Sequence, residues 1–451
     1  MIVEFTSQAQ VEDMIYSSYL RAINNITETL DGQVRRPELT RELLELVGNP
    51  DRDQQYILVT GSKGKGSTSR FISSLLSHLG YKVGLFTSPH LVDFNERIRI
   101  DGRAISAEDF VRLGNVVREG FQTIEDQLAA DEYQGPVGVG LAIATLYFKE
   151  NHTDFNVIEC GRGGRFDDTN VLKNDWAVIT PIMEEHVANL GPDLNSITLH
   201  KLGIVKNKAT NVYISKQKSS VLATIKANLT SNTVQYYEEQ FWADSIAITP
   251  VGTTFNVQTN QAGYPSLTIP LLGQFQALNA ATAVALCEDI TSGPLNRELV
   301  LKCFAQLQWP GRCEVICHDP LTIIDGAIHK ESAGYLAELI QLVNPDRSRA
   351  VTSIIGVPKD KDYPGVIEVM SSVSDQLIIT KPDISHLSFP TDALHVANRF
   401  IEQSYEFPYL EDALTHIQTG SSSEIIVIVG TQTFIGNAKR LFGQSLLDIG
   451  L

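Results

Sequence analysis

Residues 59–68 read Val-Thr-Gly-Ser-Lys-Gly-Lys-Gly-Ser-Thr, a run of glycines, lysines and hydroxyls whose spacing suits phosphate chemistry. Gly61, Gly64 and Gly66 let main-chain N–H groups turn inward around a phosphate. A following helix N-terminus adds partial positive charge, and Lys65 adds a full one. Ser67 stands where a hydroxyl reaches the magnesium ion that accompanies a nucleotide. The run Gly61, Ser62, Lys63, Gly64, Lys65, Gly66, Ser67 and Thr68 is therefore a candidate nucleotide-binding loop. It is a variant, because three residues separate Gly61 from Lys65 where the general pattern has five. A tight glycine-rich turn would explain the glycines alone, but not the lysine and hydroxyls in register with what flanks them.

The apolar run Ile57-Leu58-Val59 leads into the loop, and Ile72, Leu75, Leu76 and Leu79 follow at helical spacing until Gly80. From residue 56 to about 210, β-rich runs alternate with helical stretches: Tyr56 to Val59, Val83 to Phe86, Phe155 to Ile158 and Trp176 to Ile182. Such alternation predicts a mainly parallel sheet covered by helices. His186 comes just after the last of these runs, at the end of an open sheet where ligand sites lie. Residues 212–272 read as antiparallel pieces, followed by an alanine-rich helix from about Asn279 to Asp289 and another ending at Gln308. After Trp309-Pro310-Gly311-Arg312 a second alternating series begins: Leu321 to Ile324, Ala350 to Ile355, Gln376 to Thr380 and Glu424 to Val429. The serine cluster at 421–423 reads as a short loop. The expected fold is α/β, with a P-loop ATPase-type domain over residues 1–308 and a smaller Rossmann-like domain over 309–451.

With 36 basic and 53 acidic residues, the net charge of −17 argues against general affinity for nucleic acid or an anionic membrane. Any anion must be met by a local basic site. The cysteines, at 160, 287, 303, 313 and 317, form no Cys-x-x-Cys motif and read as reduced thiols. The first six residues lack the basic and then apolar regions of a signal peptide, and no apolar run approaches the ~18 residues of a membrane span. A cytoplasmic protein is expected.

Other segments carry the same theme. Thr87-Ser88-Pro89-His90-Leu91-Val92 runs into Glu96-Arg97-Ile98-Arg99-Ile100, and residues 159–171 read Glu-Cys-Gly-Arg-Gly-Gly-Arg-Phe-Asp-Asp-Thr-Asn-Val. His186 is followed by Leu190-Gly191, and Lys201 comes ten residues after Gly191. Then come Gly273-Gln274-Phe275-Gln276 with Asn279, Pro310-Gly311-Arg312, Asp325-Gly326-Ala327 and Lys359-Asp360-Lys361-Asp362. In order and spacing these segments resemble the folylpolyglutamate synthases, a branch of the Mur ligase family, from about residue 40 to 440.

The resemblance implies an ATP-dependent, ADP-forming ligase that phosphorylates a carboxylate and lets an amine displace the phosphate, making an amide. Bringing two anions together requires fixed cations and metal ions, and Lys65 and Arg312 are the cations in reach. By the same resemblance Ser67, Ser88 and Glu159 hold the nucleotide's Mg2+, and Glu159 and His186 a second one. Lys201 matches a lysine carried as its carbamate, an anionic metal ligand, although a surface salt bridge is the commoner fate of a lysine. Asn279 and Asp325 match residues that contact the adenine or ribose, although Asn279 could instead cap its helix. The partners implied are a small-molecule carboxylic acid and an amino acid or amine, met by a monomer. The closest named reaction is addition of glutamate to a folate.

The chain also departs from that pattern. Ile328-His329-Lys330 replaces His-Asn-Pro in the second domain's signature, Lys63 replaces an asparagine, and Glu185 an aspartate. Cys160-Gly161-Arg162 replaces Val-Gly-Leu, which would put a charge beside the phosphate region. These changes spare the phosphate and metal positions but alter the wall facing the amine. They imply an acid and amine that can differ from folate and glutamate, with weak or absent ligation of glutamate to folates. The alternative is a nucleotide-binding protein without ligase activity. Retention of Glu159, His186, Lys201 and Arg312 speaks against it.

Overall fold

Tyr56-Ile57-Leu58-Val59-Thr60 is buried at every position, which is why its apolar run is continuous rather than alternating. The computed structural model describes residues 4–451 except 230, 250, 383–386, 421–423 and 445. The serine cluster at 421–423 and the first three residues therefore lie outside the described residues.

Among the described residues, Tyr56–Thr60 sits inside an eight-stranded sheet. Its spatial order is Arg103–Ala104, Ile98–Ile100, Val83–Phe86, Phe155–Glu159, Tyr56–Thr60, Trp176–Ile179, Asn211–Ile214 and Thr233–Tyr236. From Val83–Phe86 onward the neighbours are parallel, and the first two strands form an antiparallel edge. Two apolar clusters cover its faces, one holding Leu58, Phe86 and Phe94, the other Val59, Phe71 and Ile72. The glycine loop leaves the central strand between two neighbours that each end in site residues, the position where open α/β sheets bind ligands.

The antiparallel reading of 212–272 is corrected in its first part. Asn211–Ile214 and Thr233–Tyr236 extend the parallel sheet, joined by the helix Ser219–Asn228 as crossover. Short β-rich runs do not announce their direction, and only the helix between them decides it. The antiparallel sheet is smaller: Phe241–Thr249, Gly252–Thr259 and Gly263–Ile269. The alanine-rich helix begins at Gln274, not near Asn279, and runs to Ile290.

Beyond the helix Arg297–Gln306 lies a six-stranded sheet, in order Glu314–His318, Leu321–Asp325, Ile425–Gly430, Val351–Gly356, Gln376–Ile379 and Ser404–Glu406. All its pairings are parallel except that of the first strand. After the helix Gln432–Leu441 the chain returns to the first sheet, where Asp448 bridges Arg103 on the edge strand. No helix among the described residues is long and apolar enough to cross a membrane.

Candidate functional site

The loop after Thr60 is held from below by the neighbouring strand's exit. Pro181 O accepts from Ser62 N–H and Lys63 N–H at 2.8 and 3.2 Å. The Ser62 hydroxyl bridges Met183, accepting from its N–H at 2.9 Å and donating to its carbonyl at 3.1 Å. Those two amides are thus spent on the scaffold. The amides that begin the helix Lys65–His78 have no helical acceptor ahead of them and form the anion-facing turn. Gly64 caps this helix with φ +83°, and a Cβ there would lie 2.8 Å from Asn279 Oδ1. Asn279 is buried inside its helix, where it backs the loop, so the helix-cap alternative is excluded. Ser67 and Thr68 are buried in the first turn.

Lys65 Nζ folds back to donate to Gly61 O at 3.0 Å. Glu159 closes the adjacent strand, in register with Val59, and its Oε2 accepts from Ser88 N–H at 3.1 Å. A Cβ on Gly66 would lie 3.3 Å from the same carboxylate and 3.1 Å from the Trp309 ring. Burial pushes the Glu159 carboxyl up from the ordinary range, while Lys65, the Ser88 N–H, Arg312 and Arg97 hold it down.

On the other flank, Trp176–Ile179 leads to Glu185 and His186. His186 has a left-handed φ of 49° and starts the turn Val187–Leu190. Lys201, on the helix Leu194–Leu202, is 1% exposed, and its Nζ lies 2.8 Å from Gly61 O and 3.0 Å from Glu185 Oε1. Burial and then Lys65 push its pKa down to about 8, against the pull of Glu185. Burial would lift Glu185, but Lys201 and Lys65 bring it below the usual range. Burial lowers His186, helped by Arg162, Lys201 and Lys65 and opposed by Glu185.

From the turn ahead of the second sheet, Arg312 reaches both Glu159 and Asp325 with its charge. Asp325 Oδ2 accepts from Cys313 N–H at 2.9 Å, and burial raises its carboxyl despite Arg312. The structure therefore gathers Lys65, Glu159, His186, Lys201 and Arg312 around one loop. It does not place Ile328, His329 and Lys330 against that loop by any described hydrogen bond or ion pair. Ile328 packs on the apolar cluster of the six-stranded sheet, His329 caps the helix Lys330–Val343, and Lys330 pairs with Glu368 at 2.7 Å.

The expectation that Arg162 charges the phosphate region needs correction. Its guanidinium forks onto Asp31, which is fully buried and takes Arg35 as well. A buried carboxylate demands such cations, and Arg162 acts on the site only at longer range, through His186. Reading the sequence alone overlooked Arg97, Trp309 and the Glu185–Lys201 pair as members of the site. The first two stand inside the segments Glu96-Arg97-Ile98 and Trp309-Pro310-Gly311-Arg312, which was the available signal.

The donor set of Ser67, Ser88 and Glu159 is hard oxygen, and it fits magnesium. Among the described residues no three His, Cys, Asp or Glu side chains cluster as a cage.

A glycine loop opening a helix at the end of a central parallel strand, with a carboxylate on the next strand and an arginine from a second α/β sheet, defines a P-loop nucleotide-dependent enzyme. Comparison with known proteins narrows the class. Residues 59–287 match the Mur ligase middle domain. The dihydrofolate synthase/folylpolyglutamate synthase of Bacillus subtilis (strain 168) is 29% identical over 413 residues, covering 89% of this chain and 93% of that protein. The folylpolyglutamate synthase of Lacticaseibacillus casei is 30% identical over 364 residues, covering 79% and 82%. The Mycobacterium tuberculosis folylpolyglutamate synthase complexed with ADP superposes with a TM-score of 0.82 at 26% identity, covering 97% of this chain and 98% of that one. The chain belongs to the folylpolyglutamate synthase/dihydrofolate synthase branch of the Mur ligase family, a branch of ATP-dependent, amide-forming ligases.

Proposed function

We propose that this protein adds glutamate to a folate through an acyl phosphate made at the expense of ATP. The observation that carries this reading is the convergence of Lys65 and Arg312 on a loop flanked by Glu159 and by the Glu185–Lys201 pair. Moving a phosphoryl group onto a carboxylate concentrates negative charge, and fixed cations there cost no reorganisation when the charge develops. The relatives' names supply the substrate pair.

In this reading the first-turn amides and Lys65 hold the β- and γ-phosphates, and Arg312 neutralises charge from the second domain. Asn279 and Asp325 border the nucleoside. Ser67, Ser88 and Glu159 would hold one magnesium ion, and Glu159, His186 and Lys201 a second. Bound there, the metal supplies positive charge to the phosphate oxygens. Lys201, drawn down to about 8, is the nucleophilic amine that carbamate formation requires. We divide the chain functionally at residues 308 and 309, with the acid and amine meeting in the cleft so that closure excludes water from the acyl phosphate. The enzyme acts as a cytoplasmic monomer on small molecules.

Ile328-His329-Lys330 favours a second reading, the same ligation on another acid–amine pair. Against it, His329 and Lys330 already have work as a helix cap and an ion pair within their own lobe. The experiment is direct: purified chain, ATP, magnesium, tetrahydrofolate and glutamate, with mass spectrometry of the amide. ADP formation without amide product would favour the nucleotide-binding alternative.

A further inference from the structure

Arg70 lies on the second turn of the phosphate-loop helix and is 1% exposed. A guanidinium so deeply buried would ordinarily meet a carboxylate. Among the described residues its hydrogen bonds go to main-chain oxygens of four residues. Nε donates to Gln308 O at 3.0 Å, and Nη2 lies 2.9, 3.0 and 2.9 Å from the oxygens of Ile449, Gly450 and Leu451. Ser74, one turn on, donates to Leu451 O at 2.8 Å. These acceptors come from two different crossings of the chain. Gln308 is where it leaves for the six-stranded sheet, and residues 446–451 are where it comes back.

The returning segment is held along its length. Arg99 donates to the carbonyls of Leu446 and Leu447 at 2.6 and 3.3 Å, and Ala104 N–H donates to Leu447 O at 2.7 Å. Ile449 N–H donates to Gly102 O at 3.2 Å. Next to the outgoing crossing stands Trp309, whose ring edge lies against Gly66 and whose Nε1 is buried without a hydrogen-bond partner among the described residues. Three residues further is Arg312.

We propose that Arg70 is a positioning residue for the ligation, on the functional reading given above. By holding the outgoing linker and the returning segment on one guanidinium, it fixes Trp309 and Arg312 over the loop that leads into Lys65. The phosphate-loop helix thereby carries the second domain's register in its own interior. Arg70 touches no substrate; it acts through Gln308 and the groups that follow.

The test compares Arg70→Met, Arg70→Lys and Gly102→Ala with the wild type. Gly102 approaches the returning segment from outside: its φ is +79°, and a Cβ there would meet Gly450 O at 1.6 Å, so Gly102→Ala dislodges the segment without touching the phosphate-loop helix. Each variant is checked for folding by circular dichroism, then assayed for ATP dissociation constant, kcat, and phosphate released per amide formed. A misplacement of about 1 Å costs on the order of 10²-fold in rate. Arg70→Met and Gly102→Ala should keep the ATP dissociation constant within about threefold, lose kcat by roughly that 10²-fold factor, and release excess phosphate from acyl phosphate that water reaches. Arg70→Lys, which keeps the charge but not the fork, should recover part of kcat. Hydrogen exchange at residues 305–312 and 446–451 should quicken together in Arg70→Met.

Wild-type kcat and coupling in folded Arg70→Met and Gly102→Ala would overturn the proposal. So would equal losses in ATP affinity and kcat, the mark of a general structural role. If Arg70→Met does not fold, Gly102→Ala decides. If the wild type itself makes no amide, the functional reading fails, and the hydrogen-exchange coupling of the two crossings alone decides the positioning claim.

Discussion

The ammonium groups of Lys65 and Lys201 donate to the same acceptor, the carbonyl oxygen of Gly61, at 3.0 and 2.8 Å. Two like charges on one buried oxygen repel, and Glu185, 3.0 Å from Lys201, offsets that repulsion. With both lysines as ammonium groups, positive charge stands under the loop before any phosphate arrives; conversion of Lys201 to its carbamate would leave Lys65 as the fixed cation there and make Lys201 a metal ligand.

Removing the Lys65 cation or the Glu159 carboxylate should be costly in rate and cheap in fold. Lys65→Ala and Glu159→Gln should each lower turnover by about 10²- to 10³-fold while circular dichroism stays native. Near-normal turnover in either folded variant would remove it from the site.

Lys201 gives a second test. If it carries a carbamate, stripping bicarbonate should lower activity, Lys201→Ala should be partly restored by short-chain carboxylates, and 13C-bicarbonate should give a carbamate resonance lost in that variant. Full activity without bicarbonate and no such resonance would leave Lys201 as the ammonium partner of Glu185.

Arg312→Ala should separate the lobes' contributions. Its charge reaches Glu159 and Asp325 across the two sheets, so kcat should fall by roughly 10²-fold with a smaller change in ATP affinity. A loss confined to KM would make Arg312 a binding group only.

Asp168 offers a stability test away from the reaction. Burial raises its carboxyl to about 6, opposed by Arg35. A folded pKa above the unfolded ~3.9 means that its stabilising contribution is full below that lower value and is lost as pH rises through about 6. Asp168→Asn should therefore flatten the fall in Tm between about pH 4 and 7 relative to the wild type. An unchanged slope would show that Asp168 ionises freely in the fold.

Much of this was legible in the chain because it is local. The loop, its strand and its helix follow from residues 56–79, and the alternation after Trp309 marks a second parallel sheet. What was not legible is long-range. Nothing near Arg162 announces Asp31, 131 residues away, and nothing near Arg70 announces the carbonyls at 449–451. The strands Asn211–Ile214 and Thr233–Tyr236 were misread for a related reason: a four-residue β-rich run carries no sign of its neighbour's direction. Asn279 showed its type but not its task, since its contact with Gly64 belongs to the packing of two helices.

The central claim is amide formation between a folate and glutamate. The most direct measurement incubates the purified chain with ATP, magnesium, tetrahydrofolate and a panel of amino acids including glutamate, and quantifies amide product against ADP for each. The account predicts one amide per ADP with glutamate preferred, at kcat/KM on the order of 10⁴ M⁻¹s⁻¹ or above. ADP release without amide, or a clear preference for another acid–amine pair, would contradict it.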